Sequence, residues 1–391
     1  VLAGLALAVA GCDAVPAAAI DHGAELLRVG PGQEYESLTL AGARLQKKWT
    51  DGGGHPLADP APAHVIISPG PPGYYVNDSG SHSRRWPSLV GWPPYEGNLL
   101  GPVVIEGEPG KPPPDLVTDG SGDGVLYYQA GLFITTGYDA TFRNLHFSGF
   151  RRSDGQGTYA AIRFNPQEGR QANVLLEGLE IDHCDDGVLG GDTGLSLTLR
   201  RCFFHDNGNS TGLCHNVYMS NGGTLVAEDV LSTRCTIGHL LKSRAAHTVI
   251  RNCRLLGDGG SESACLDVPD GGVLEIDGLV CEKSPGTDAA WLIHYGGENQ
   301  DASGVPFHVP SSIRIRDLTM IAPEEFTRHP DWRAIVVGFA NQSGLGEAAS
   351  GAGSFAVVPD AAGVKVFGLT ARQAGLPGVT VLQVAPALNL R

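Results

Sequence analysis

The stretch that decides the fold is Leu197-Thr198-Leu199-Arg200-Arg201-Cys202-Phe203-Phe204-His205-Asp206-Asn207. Leu197 and Leu199 alternate with polar neighbours, Arg201 interrupts the alternation, and apolar Cys202 follows. The same form recurs in ATFRNLHFSG (140–149), VLLEGLEIDHC (174–184), LVAEDVLSTRC (225–235), TVIRNCRLLGD (248–258), VLEIDGLVCEK (273–283), IRIRDLTMIAP (313–323) and VKVFGLTARQA (364–374). Aligning the interrupting residue gives Asn144, Gly178, Arg201, Asp229, Asn252, Gly278, Asp317 and Gly368, with several steps between about 23 and 28 residues. Alternation gives each strand one inward and one outward face. Repeats of that length leave no room for helical crossovers. They predict an all-β fold: a single-domain right-handed parallel β-helix whose interior is filled by stacked Val, Leu, Ile and Phe.

Composition agrees. The 391 residues carry 18% charged and 7% aromatic side chains with 55 Gly and 26 Pro, a profile of many short strands and turns. A net charge of -15 counts against a nucleic-acid partner, which calls for a basic stripe. It is compatible with an acidic polysaccharide bound in a local cationic groove.

The chain begins VLAGLALAVAGC, an apolar run of small residues ending at Cys12. Val9-Ala10-Gly11-Cys12 resembles a bacterial lipobox, which implies a signal peptide over 1–12, lipidation at Cys12, and a secreted or outer-membrane/periplasmic lipoprotein. An ordinary secretory signal is the alternative. Membrane attachment is expected only through that anchor. Residues 13–26 read as a linker and 27–391 as the β-helix domain. From Leu27 a strand, a Gly-Pro turn and a short amphipathic helix follow, the helix suited to cap the open end of a solenoid. HVIISPGPPGYY (64–75) and GPVVIEGEPGKPPP (101–114) are strands ended by Pro and Gly. The insert between them, 76–100, holds Arg84, Arg85, Trp86, Trp92 and Tyr95 and is a candidate lid or an aromatic plug over the helix end. With both ends capped, a monomer is expected.

Among the eight cysteines, Cys184, Cys202, Cys235, Cys253 and Cys281 fall at or near one place in successive units and read as an interior ladder. Cys214 and Cys265 lie outside it and are a candidate disulfide. No His/Cys spacing points to zinc, so no metal site is expected.

Polar groups concentrate between Leu213 and Glu298. In Gly238-His239-Leu240-Leu241-Lys242-Ser243-Arg244, alternation puts Lys242 and Arg244 on the outer face and His239 and Ser243 on the other. Two adjacent cations suit a sugar carboxylate: Arg binds it bidentately, and a Lys beside another cation has a lowered pKa and becomes a better base. β-Elimination needs such a pair, one group neutralising a uronate carboxylate and one removing the α-proton. A solvated Lys-x-Arg face is the plain alternative. The preceding rung offers His215 and Tyr218, either able to protonate a leaving oxygen; His239 and, on the following rungs, Asp267, Asp270, His294, Tyr295 and Glu298 are candidates for substrate binding. Cys184-Asp185-Asp186-Gly187 reads as turn chemistry rather than catalysis. Ca²⁺ could be held by Asp267, Asp270 or Glu298, although no loop has a calcium-binding spacing.

These segments resemble the pectate-lyase-like β-helix superfamily. The likeness is closest to secreted bacterial right-handed parallel β-helix repeat proteins sharing HNxY, GHLLKSRA and DxPxGG, matched by His215, Asn216, Tyr218, residues 238–245, Asp267, Pro269, Gly271 and Gly272. Lys242-Ser243 also resembles an element of the chondroitinase B and alginate lyase family, where that Lys is the base and an Arg on the following rung the acid. Here the following rung reads ACLDVPDGG and lacks the Arg. The resemblance implies a polysaccharide lyase with Lys242 as base, Arg244 on the carboxylate, and Tyr218 or His215 as acid. A C5-epimerase, a glycoside hydrolase using Asp267 with Asp270 or Glu298, and a carbohydrate-binding lipoprotein remain alternatives.

Overall fold

The computed structural model describes residues 23–70, 98–117, 131–152, 155–165, 170–285, 287, 291–296, 298, 308–323, 333–337, 356–359 and 365–367. The expected signal segment with Cys12, most of the expected linker, the insert up to residue 97 and Gly368 lie outside the described residues.

The chain winds as a parallel β-solenoid with three walls. The first wall stacks Glu25–Val29, Ala63–Ile67, Val103–Gly107, Ala140–Arg143, Ala172–Glu177 and Leu195–Arg200, then continues through 224–228, 247–251, 273–277 and 312–316 of longer strands. The second stacks Asp115–Val117, His146–Ser148, Glu180–Asp182, Phe203–His205 and Leu231–Thr233, followed by 254–256 and 280–282. The third runs from Gly131–Thr135 through Ala160–Phe164, Asp186–Gly190, 217–219, 241–243, Leu266–Val268 and Trp291–Tyr295 to Arg333–Val337.

The interrupting residues of the repeat form the corner between the first and second walls. Asn144, Gly178, Arg201, Asp229, Asn252, Gly278 and Asp317 all have positive φ, between 49° and 80°. One left-handed residue turns the chain sharply, which is why the position is Gly, Asn or Asp in all but one unit. The corner stays bonded to the next coil: Gly178 N donates to Arg200 O at 2.9 Å and Arg201 N to Glu228 O at 2.9 Å.

Inside, the walls meet through large apolar side chains. Phe133, Phe142 and Phe147, one from each wall, are fully buried, with Phe133 5.4 Å from Phe142 and edge-on to Phe147 at 6.1 Å. The expected helix is Leu38–Trp49, N-capped by Ser37; its stripe Leu38, Ala41, Leu45 and Trp49 is fully buried in the common core.

The seven described cysteines are free and buried, so the candidate Cys214–Cys265 disulfide is absent. The Cys214 thiol donates to Gly157 O at 3.2 Å and the Cys265 thiol to Glu282 O at 3.3 Å, on different coils. Nor is the ladder a single column. Cys202 and Cys253 each follow the corner residue and bond back to the preceding coil, whereas Cys281 stands opposite Leu255.

Candidate functional site

The polar residues converge on the third wall and the corners flanking it. Leu189, Tyr218, Lys242, Asp267 and His294 are cross-strand neighbours in successive coils. Leu241, Ser243 and Ala245 are wholly buried on the inward side, where the Ser243 hydroxyl meets Thr248 Oγ1 at 2.7 Å. Lys242 and Arg244 therefore project outward, as the alternation requires.

Their surroundings differ from a solvated face. Lys242 Nζ lies 2.9 Å from Asp267 Oδ2 and 3.4 Å from Glu298 Oε1. Arg244 pairs with Asp270 and Glu298 through its two terminal nitrogens, and its Nε donates to Tyr218 Oη at 3.0 Å. Asp267, only 2% exposed, also takes His239 Nε2 at 3.2 Å and His294 Nδ1 at 2.8 Å. One buried carboxylate thus organises an ammonium and two imidazoles. Burial opposes its charge, but His239, His294 and Lys242 hold its pKa well below the usual carboxylate range.

Three expectations need correction. The lowered pKa expected for Lys242 is not found: burial disfavours the ammonium, yet Asp267 and Glu298 outweigh both burial and Arg244, and the pKa is raised. A Lys held as ammonium is a poor base. His239 does not share the face of Ser243. It precedes the strand, which begins at Leu241, so strand alternation does not reach it, and it turns to the Lys242 side. Tyr295 is not a binding residue of this surface. It is adjacent to His294 in one strand and so faces inward, fully buried, its phenol bonded to Gly272 O.

His215 and His239 stack nearly parallel at 4.8 Å, and Tyr218 meets His215 edge-on at 4.8 Å. The backbone N–H of His239 donates to His215 Nδ1 at 2.9 Å, so that nitrogen carries the lone pair and Nε2 the proton. Burial first, then His239 and Lys242, push the His215 pKa well below its ordinary value. His215 is therefore a neutral imidazole offering an N–H, not an imidazolium acid.

Sequence reasoning missed two participants. His308 Nε2 lies 3.0 Å from Arg244 O. Asp186, read as a turn residue, is fully buried; its Oδ1 accepts the backbone N–H of His215 at 2.8 Å, and burial pushes its pKa up to about 8. Asp185 does serve the local loop, accepting from Arg152 N, Tyr159 N and Asn209 Nδ2. The carboxylates considered for Ca²⁺, Asp267, Asp270 and Glu298, are each engaged by cationic side chains of the chain itself.

The arrangement defines a class: a β-solenoid with a wall-mounted cation pair, a phenol bonded to one of those cations, and a neutral imidazole. No protein-family model matches the chain, and no match is found among curated proteins or solved structures.

Proposed function

We propose that the protein is a polysaccharide lyase that cleaves an anionic, uronate-containing glycan by β-elimination. The carrying observation is Glu298, a partly exposed side chain whose carboxylate spans Lys242 Nζ and the Arg244 guanidinium. A carboxylate seat between two cations is what a uronate needs, and substrate would take it by displacing Glu298. Both cations then lower the energy of the carbanion-like transition state by neutralising the substrate carboxylate.

Tyr218 is the proton-transfer group. Arg244 Nε holds its oxygen at 3.0 Å, and the step calls for that oxygen as the phenolate. The phenolate takes the proton α to the carboxylate, the C–H electron pair forms the double bond, and the C–O bond breaks toward the leaving oxygen. The phenol then returns its proton to that oxygen. His215 orients the phenol edge-on and offers Nε2–H to the sugar. Lys242 binds instead of acting as base. Asp270 and Asp267 position Arg244 and Lys242, respectively. The resemblance to pectate-lyase-like β-helix proteins supports this reading.

Tyr218→Phe should lower the rate of unsaturated-product formation by about 10²- to 10⁴-fold, with the thermal midpoint nearly unchanged. Glu298→Gln should keep turnover and lower KM, because the seat is no longer filled by a carboxylate. Full activity in Tyr218→Phe would remove the mechanism. Saturable glycan binding without product would favour the carbohydrate-binding reading.

A further inference from the structure

A second convergence of ionisable groups lies on the outer face of the second wall, apart from the groups described above. Strand register builds it: His146 stands beside Glu180, and Ser148, Asp182 and His205 are neighbours in three successive coils. The ligating atoms of His146, Glu180 and Asp182 lie within 4.8 Å of one another. His146 Nε2 is 2.9 Å from Asp182 Oδ2, while His205 Nε2 is 3.1 Å from Glu180 Oε1 and 3.6 Å from the same Asp182 oxygen.

We propose that His146, Glu180, Asp182 and His205 form a binding site for a divalent transition-metal ion of the zinc type. Two imidazole nitrogens and two carboxylate oxygens are a donor set suited to Zn²⁺, whereas Ca²⁺ takes six to eight oxygens.

The second observation is what lies behind each imidazole. His146 Nδ1 bonds to Asp115 Oδ1 at 2.8 Å, and His205 Nδ1 to Asp206 Oδ2 at 2.6 Å. Asp206 is itself fixed by Arg234 through two contacts of 2.8 Å. A carboxylate on Nδ1 fixes the tautomer and turns the Nε2 lone pair toward the metal, the outer-shell arrangement typical of histidine-ligated ions. Here each Nε2 donates to a carboxylate oxygen, His146 to Asp182 at 2.9 Å and His205 to Glu180 at 3.1 Å, and a bound metal would take the place of that proton and release it to solvent. Asp182 Oδ1 is already occupied by Ser148 and by His183 Nδ1, leaving Oδ2 as a monodentate ligand. A bound dication would balance Glu180 and Asp182 and tie three coils together.

The test uses the full chain stripped with chelator, then titrated with Zn²⁺ by calorimetry and with Co²⁺ by visible absorption. Expected are one ion per chain, the strong visible bands of four-coordinate Co²⁺, and a thermal midpoint raised by Zn²⁺. His146→Gln and His205→Gln should each abolish the Co²⁺ bands. Asp115→Asn, which keeps all four ligands, should weaken binding by about 10- to 100-fold. His294→Gln, on the third wall, should change none of these. Absence of binding by the wild-type chain would overturn the proposal. So would binding that survives both His substitutions in variants folded by circular dichroism, or binding lost only in His294→Gln.

Discussion

Asp186 is the residue whose environment is least expected from its neighbours in sequence. A carboxyl group buried beneath His215 and raised to about pKa 8 keeps its proton in the folded state, while the unfolded chain releases it near 4. Between those values the folded state binds more protons, so this group makes stability fall as pH rises. The loss is at most about 1.4 kcal/mol per pH unit across the window. Asp186→Asn retains the oxygen that accepts the backbone N–H of His215 and removes the titration. Urea unfolding from pH 5 to 8 should show the variant gaining on the wild type at each step, and parallel curves would contradict the assignment. The cluster itself was legible at this scale: His215, Tyr218, Lys242, Arg244, Asp267, Asp270, His294 and Glu298 do come together. Their protonation was not. The Lys242 pKa turns on Asp267 and Glu298, which arrive from later coils, and no local pattern reveals that balance. His294 and Tyr295 failed as a pair for a simpler reason, since adjacent strand residues cannot share a face.

At the scale of the element, the coils are aligned by a column of charge. Glu106, Arg143, Glu177, Arg200, Glu228, Arg251, Asp277 and Arg316 are successive cross-strand neighbours on the first wall, each one residue before the left-handed corner or its equivalent. Signs alternate without exception. Contacts include Arg143–Glu177 at 2.8 Å, Arg200–Glu228 at 3.1 Å and Arg251–Glu228 at 2.8 Å. Exposed pairs contribute only about 0–1 kcal/mol each. Their larger effect is on specificity, because misplacing one coil would set like charges side by side. Arg200→Glu would place three carboxylates in a row. Stability should fall by about 1–2 kcal/mol and recover in part with added salt. A salt-independent loss would mean that the guanidinium acts through packing alone. The alternation was present in the repeats as Arg-Asn, Glu-Gly, Arg-Arg, Glu-Asp, Arg-Asn, Asp-Gly and Arg-Asp, but it emerges only when the corner is known to fix the preceding residue outward.

For the whole molecule, the solenoid was the most legible feature, because coil length and alternation are repeated eight times along the chain. Each described copy restates the same physical requirement: two inward apolar positions, a left-handed corner and another inward residue. The second-wall cluster was illegible for the opposite reason. HFS, EID and FFH share no motif, and only the register of three coils turns them into one donor set. Solenoids thus place chemistry by stacking, so a site is written across coils and not along the chain. Under the proposed function the third wall is the surface along which a polymeric sugar would lie, with the cation pair at one point on it. The most direct measurement is ultraviolet absorbance of the unsaturated uronate, with mass spectrometry, after incubating the protein with alginate, pectate, glucuronan, hyaluronan, and chondroitin and dermatan sulfates. Expected is a rise in absorbance on one class of these polymers, with products differing from substrate by elimination and no added water. Products carrying water without absorbance, or no product on any polymer, would contradict a lyase.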